Sequence, residues 1–323
     1  MHLIKAESPG PAVSKIVPKV KSMAKILYII YFCMTVIEII LLLAGGMSVF
    51  EAFTTAFGTA GTGGFGVKNS SIGGYSSYIQ NVVTVFMILF GIDFSIYYLL
   101  LTKKFKAALK SDEYKAYLAI IFVSILIISI NTMKMYPDFL TALKHGAFQT
   151  ASIITTTGFA TTDFNLWPSL SKTILVFLMF IGACAGSTGG GIKVSRILIL
   201  LKTIKKEVRI VAHPRTTHKI AINERPIKHE TVRAVNVFLA AYFAIFVFSI
   251  LMISIDNFDF TTNFTAVAAT INNIGPGLEM IGPTGNFSAF SGFSKIVLIL
   301  DMLIGRLEIF PMLVLISPYT WRK

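Results

Sequence analysis

The sequence predicts an all-α membrane protein made of three consecutive helix–re-entrant loop–helix units. Three observations predict it. The 323 residues are 54% hydrophobic and only 14% charged, with a mean hydropathy of +0.72; soluble domains carry about 25% charged residues. Six apolar runs, 26–44, 82–101, 117–133, 173–201, 235–255 and 296–316, approach the length needed to cross a bilayer, which is about 20 residues. Between the two runs of each successive pair lies a shorter apolar stretch that ends in a Gly-rich loop, and this arrangement occurs three times.

Taken in order, 1–23 is a polar segment with Pro9, Pro11 and Pro18, and it lacks the pattern of a cleavable signal peptide. Residues 24–102 form the first unit and 103–116 a basic linker. The second unit is 117–204, its first run marginal in length unless Tyr114 and Ala116 join it. A basic loop, 205–232, leads to the third unit, 233–323. The net charge of +13 is concentrated: most of the 29 Lys and Arg lie in 5–25, 102–115, 193–233 and 322–323. Basic segments alternating with apolar runs follow the positive-inside pattern, which places these segments in the cytoplasm of a multi-pass protein. Such a distribution excludes a nucleic-acid surface, whose solvated basic face would not be interrupted by spans.

The connections between paired runs are 48–78, 137–169 and 259–293. Each opens with a small-residue apolar stretch too short to cross, since ~12 helical residues rise only ~18 Å. Each then meets a glycine: Thr62-Gly63-Gly64-Phe65, Thr156-Thr157-Gly158-Phe159 and Asn273-Ile274-Gly275-Pro276. The three blocks are an internal repeat. One alone would read rather as an extracellular loop or a small-residue packing surface. Three in the same place favour a pore. A dehydrated cation needs oxygen ligands, and backbone carbonyls of an extended loop supply them. Glycine permits the backbone angles that aim successive carbonyls the same way, and the short helix points its negative end at the ion. The carbonyls of Thr62, Gly63, Thr156, Thr157, Asn273 and Ile274 are the expected cation ligands. Only Asp163 and Glu279 lie near the glycines, which argues against a divalent-cation pore.

The run 173–201 is interrupted by glycines. Gly182, Gly186 and Gly190 have GxxxG spacing, which also fits a tight helix contact. The density of Gly186-Ser187-Thr188-Gly189-Gly190-Gly191 predicts instead that 182–191 opens into a loop within the membrane, where it would gate the pore. Arg306 falls inside the last run. It needs a partner or water; Asp301 and Glu308 are candidates, as is a place in the pore opposite the 186–191 carbonyls. Glu38 and Asp93 are expected to make helix-packing hydrogen bonds. Nothing suggests an enzyme: GxSxG, HExxH and GxGD are absent, and Ile192 between Gly191 and Lys193 breaks a phosphate-loop pattern. Cys33 and Cys184 lie in apolar stretches without metal or disulfide spacing, and the five His show no ligand spacing.

The segments AESPGP (6–11), FTTAFGTAGTGGF (53–65), TASIITTTGFATTDF (150–164), GSTGGGIKVSR (186–196), ATINNIGPGLEMIGPTGNF (269–287) and GRLEIFP (305–311) resemble the TrkH/KtrB/HKT superfamily of potassium transporters, the TrkH branch most closely. That resemblance implies a pseudo-fourfold pore of four helix–pore loop–helix repeats, of which this sequence carries the second, third and fourth. It implies potassium as the ion, Gly64, Gly158 and Gly275 as selectivity-filter glycines, 182–191 as the gate and Arg306 as the arginine facing it. It also implies a homodimer in a bacterial-type inner membrane, with a cytoplasmic nucleotide-binding ring of the TrkA/KtrA type meeting the basic loops, chiefly 193–233. No covalent cofactor is expected. A first repeat is expected upstream or on a separate chain. Without it, the chain is one part of a split transporter or a non-conducting fragment.

Overall fold

A computed structural model describes residues 20–213 and 220–317. The motif at 6–11 and the charges at 322–323 lie outside the described residues. The first unit contains α1 (Val20–Ala44), α2 (Val49–Ala60), α3 (Ser77–Phe90) and α4 (Phe94–Leu101). A short α5 (Phe105–Leu109) leads to the second unit, with α6 (Asp112–Thr132), α7 (Phe139–Ile154), α8 (Ser169–Ile181) and α9 (Val194–Ala212). A two-stranded antiparallel hairpin, β1 (Ala221–Ile222) and β2 (Arg225–Pro226), precedes α10 (His229–Ile253), α11 (Phe260–Ile271), α12 (Gly292–Leu307) and α13 (Ile309–Ile316) of the third unit. The hairpin turns at Asn223 and Glu224, with φ of 52° and 63°, the left-handed pair that a two-residue turn requires.

Each unit opens with an uninterrupted long apolar helix: Ala24–Ala44, Asp112–Met135 and His229–Asp256 are long enough to span a membrane. No more than a third of each is buried. Their outer faces display large apolar side chains such as Tyr28, Phe122 and Val247, as a lipid-facing surface requires. The C-terminal halves of α7 and α11 form the protein's interior, whereas α2 buries one face, from Ala52 to Ala60, and exposes Phe50, Phe53 and Phe57. Residues 148–154 of α7 and 265–271 of α11 are all buried, and they mix Thr, Ala, Gln and Ser with Ile and Val. All three short helices start at a side-chain cap. Ser48 accepts from the Glu51 amide in a reciprocal capping box, Asp138 from Thr141, and Asp259 from Thr262.

Two of the six runs differ from their prediction as single spans. The 82–101 run bends by 91° between α3 and α4. The 296–316 run breaks at Glu308, whose φ is 68°. The first break has a clear cause: Gly91 ends one helix, and the Asp93 carboxylate caps the next by accepting the Ser95 amide at 2.8 Å. Asp93 is therefore a cap inside a broken helix, not the interhelical bond expected. Glu38 is fully buried on α1 and its carboxyl faces the Thr59 side chain of α2, a helix-packing position. The predicted interruption of 173–201 is present, with α8 ending at Ile181 and α9 starting at Val194. Thus the second helix of every unit is broken, and the sequence disclosed only the break rich in glycine.

Candidate functional site

The three short helices end in the same way. Thr62, Thr156 and Asn273 all adopt left-handed φ values, 51°, 58° and 56°. Their amides donate three residues back, to Thr59, Ile153 and Thr270, at 3.0–3.1 Å. The next amides, of Gly63, Thr157 and Ile274, donate five residues back, to Gly58, Ser152 and Ala269, at 2.8–2.9 Å. This is a Schellman-type helix end repeated three times. The left-handed position normally takes glycine, and a β-branched Thr there is strained, a feature that clusters at functional sites. Gly64, Gly158 and Gly275 follow, with φ of 65°, 87° and 105°. The sequence pointed to these glycines. It gave no sign that the residue two places earlier carries the strain.

These turns leave carbonyls without a hydrogen-bond donor. Among the described residues nothing donates a hydrogen bond to the carbonyls of Thr62, Gly63, Thr156, Thr157, Asn273 or Ile274, although Thr62, Thr156, Thr157 and Ile274 are buried. Buried backbone carbonyls are otherwise nearly always paired. The turns also stand side by side in chain order. A Cβ added to Gly64 would collide with the Thr157 carbonyl, and one added to Gly158 with the Ile274 carbonyl. A Cβ added to Gly275 would meet nothing within 4 Å among the described residues. So the first turn abuts the second and the second abuts the third, while the far side of the third is open. The aromatic neighbours report the same asymmetry: Phe159 of the second turn is fully buried against the first unit, beside Gly58 of α2, whereas Phe65 is 82% exposed. Ser152 Oγ donates to the Phe159 carbonyl at 2.6 Å and fixes the strand leaving the second turn. Pro276 lies beside Gly158, its Cδ 3.2 Å from the position of a Cβ there. Above the turns, Asn165 holds Glu279 through two backbone bonds of 2.9 and 3.0 Å, joining the second and third units.

The 182–191 loop lies against the ends of the short helices. Gly182, Gly186 and Gly191 have positive φ values of 72°, 77° and 76°. A Cβ on Gly189 would stand 2.9 Å from the Thr155 carbonyl, and one on Gly190 2.6 Å from that of Asn272. Only glycine permits this approach. The Gly190 amide donates to Thr156 Oγ1 at 2.6 Å. The Thr188 carbonyl receives both the Thr62 hydroxyl, at 3.0 Å, and Arg306 Nη1, at 3.2 Å. Ser187 closes a tight turn by donating to the Cys184 carbonyl at 2.6 Å. Of the partners weighed for Arg306, the loop carbonyl is the one observed. Asp301 bonds Ser249 instead, and Glu308 pairs with Arg196 at 2.7 Å. The Arg196–Glu308 pair, with Arg196 over the Phe238 ring at 3.8 Å, ties α9 to the break between α12 and α13. Sequence reasoning missed it, because 112 residues separate the two charges.

Three re-entrant helices converging on unpaired carbonyls, with a glycine loop pressed against their ends, define a pore-loop membrane protein. Comparison with known proteins gives the family. The chain matches the TrkH family, described as a cation transport protein, over residues 1–322, and it belongs to that family. It is 34% identical over 328 residues to the Trk system potassium uptake protein TrkH of Escherichia coli strain K12, covering 100% of this chain and 68% of that protein. It is 36% identical over 330 residues to TrkH of Vibrio parahaemolyticus serotype O3:K6, again covering 100% and 68%. The crystal structure of the potassium transporter TrkH from Vibrio parahaemolyticus superposes with a TM-score of 0.89 at 34% identity, covering 99% of this chain and 69% of that one. The resemblance read from the motifs therefore holds along the whole chain, and the family is one of transporters rather than enzymes.

Proposed function

We propose that this chain is the pore-forming part of a potassium uptake system. Potassium passes the carbonyls of Thr62, Gly63, Thr156, Thr157, Asn273 and Ile274, and the 182–191 loop with Arg306 gates the passage. The observation that carries the reading is the thrice-repeated turn with its unpaired carbonyls. A monovalent cation satisfies such oxygens without any carboxylate. The relatives named for potassium uptake support potassium as the ion. The loop occupies the place of a gate because its glycines touch the carbonyl ends of two pore helices, and its Thr188 carbonyl is held by groups from the first and third units.

The pore units are 24–102, 117–204 and 233–323, joined by 103–116 and 205–232. In this reading the basic connections face the cytoplasm of an inner membrane. They form the docking region for a nucleotide-binding ring of the TrkA/KtrA type, and the transporter works as a homodimer in the lipid bilayer. The open space beside Gly275 favours one further statement: the ring closes when a fourth filter segment stands there, supplied by residues or a chain outside those described.

The test is growth of a potassium-uptake-deficient cell at low potassium. The chain co-expressed with a pore-loop unit for the fourth position restores growth, and Gly158→Asp or Gly275→Asp abolishes it at equal membrane abundance. Undiminished uptake by both variants would overturn the filter assignment. Selective flux through the chain alone in liposomes would overturn the need for a fourth segment.

A further inference from the structure

Glu113, at the start of α6, lies far from the filter turns in sequence and outside every motif. Its Oε1 accepts two backbone amides at once: Ala185 at 2.6 Å and Ser195 at 3.1 Å. These amides stand at opposite ends of the intramembrane loop. The neck between them is otherwise closed by two backbone bonds, from the Val194 amide to the Ala183 carbonyl at 3.1 Å and from the Ile192 amide to the Phe180 carbonyl at 3.3 Å, with the Cys184 amide bonded to the Gly91 carbonyl at 3.0 Å. Lys193, left-handed at φ 82°, turns its Nζ back onto the Gly189 carbonyl within the loop. The tip of the loop is held by Thr62, Thr156 and Arg306. One carboxylate oxygen on a neighbouring helix holds its base.

We propose that Glu113 is the positioning residue of the gate loop. Its carboxylate clamps the entry and exit strands together, so that the glycines at the tip are held against the pore-helix ends. A single acceptor oxygen for both strands makes the neck one unit, and removing it leaves two amides without a partner. The proposal rests on the gate reading above, in that it assigns what holds the loop that gates.

Cys184 gives a direct readout, since it adjoins Ala185, is fully buried, and is accompanied by one other cysteine, the exposed Cys33. In a Cys33→Ser background, the full chain in detergent or liposomes is treated with a small maleimide. Glu113→Ala is expected to raise the Cys184 labelling rate by roughly tenfold or more, the factor carried by leaving a buried amide without its acceptor. Glu113→Gln keeps a carbonyl oxygen for both amides and is expected to restore protection, a rescue that general loosening of the fold would not give. Glu113→Asp keeps the charge but shortens the reach by one methylene. It is expected to label faster than the parent, and it supplies the same test if the Ala variant does not accumulate. Labelling at the parent rate in the Ala or Asp variant would overturn the proposal, as would equal exposure in the Gln variant. Arg306→Ala, assayed by flux with the fourth unit present, tests the gate separately. Raised flux there with Cys184 still protected in Glu113→Ala removes the clamp and spares the gate. Unchanged flux there with Cys184 exposed in Glu113→Ala removes the gate and spares the clamp.

Discussion

Placing a methyl group on Gly64, Gly158 and Gly275 in turn separates the role of contact between neighbouring turns from that of backbone strain. Gly158 has a φ of 87° and Gly275 one of 105°. Alanine at either must hold a backbone conformation that costs roughly 1–2 kcal/mol. At Gly158 the new Cβ also collides with the Ile274 carbonyl and crowds Pro276. Overpacking of that kind adds about 1–3 kcal/mol. Gly158→Ala is therefore expected to destabilise the chain by about 2–5 kcal/mol and Gly275→Ala by only about 1–2 kcal/mol. Gly64→Ala, which collides with the Thr157 carbonyl, belongs with Gly158→Ala. The assay is denaturant unfolding in detergent, followed by fluorescence of Trp167, which is buried and donates its Nε1 hydrogen to the Tyr136 hydroxyl at 3.0 Å. Adding the fourth pore-loop unit should raise the cost of Gly275→Ala toward that of Gly158→Ala. Equal costs at all three glycines in the chain alone would refute the open-ring geometry.

Arg196→Met strands the Glu308 carboxylate, whose side chain is 20% exposed beside an arginine 8% exposed. It is expected to cost about 3–5 kcal/mol in the same unfolding assay, with much of that recovered when Glu308→Met is added. Thr156→Val keeps the branched shape but leaves the Gly190 amide unpaired, a loss of about 1–3 kcal/mol, read as a lowered unfolding midpoint and faster Cys184 labelling. For pH, the Ser48 side chain and amide hold the Glu51 carboxyl below the ordinary carboxylate range, with Tyr75 and Lys68 adding to them. A lowered folded value means that this capping-box stabilisation is complete at neutral pH and is lost as pH falls through the folded value. The unfolding midpoint of Glu51→Gln should therefore fall less on acidification than that of the parent, and parallel curves would count against the capping box.

The most legible parts of the sequence were those that repeat. One glycine per block, a short apolar stretch before it and a long run on each side located all three re-entrant helices, and GSTGGG located the broken helix. Arg306 stood out because a charge inside an apolar run is costly. Other features left no local trace. Left-handed Thr62 and Thr156 are residues that avoid that conformation, and only their surroundings hold them there. The breaks at Asp93 and Glu308 lie inside runs whose hydropathy is continuous, so Asp93 read as a packing group and Glu308 as a candidate partner for Arg306. Glu113 looked like one of the charges of a cytoplasmic linker. Its role depends on Ala185 and Ser195, 72 and 82 residues away, and no periodicity encodes such a distance.

The central claim is that the unpaired carbonyls of the three turns are cation ligands. Its most direct test is anomalous scattering from crystals of the chain, with the fourth unit, grown in thallium or rubidium. The account predicts a peak on the axis between the carbonyls of Thr62, Gly63, Thr156, Thr157, Asn273 and Ile274, displaced by excess potassium and absent in Gly158→Asp. A bound ion located away from these oxygens, or turns that stay empty while the protein transports the ion, would contradict it.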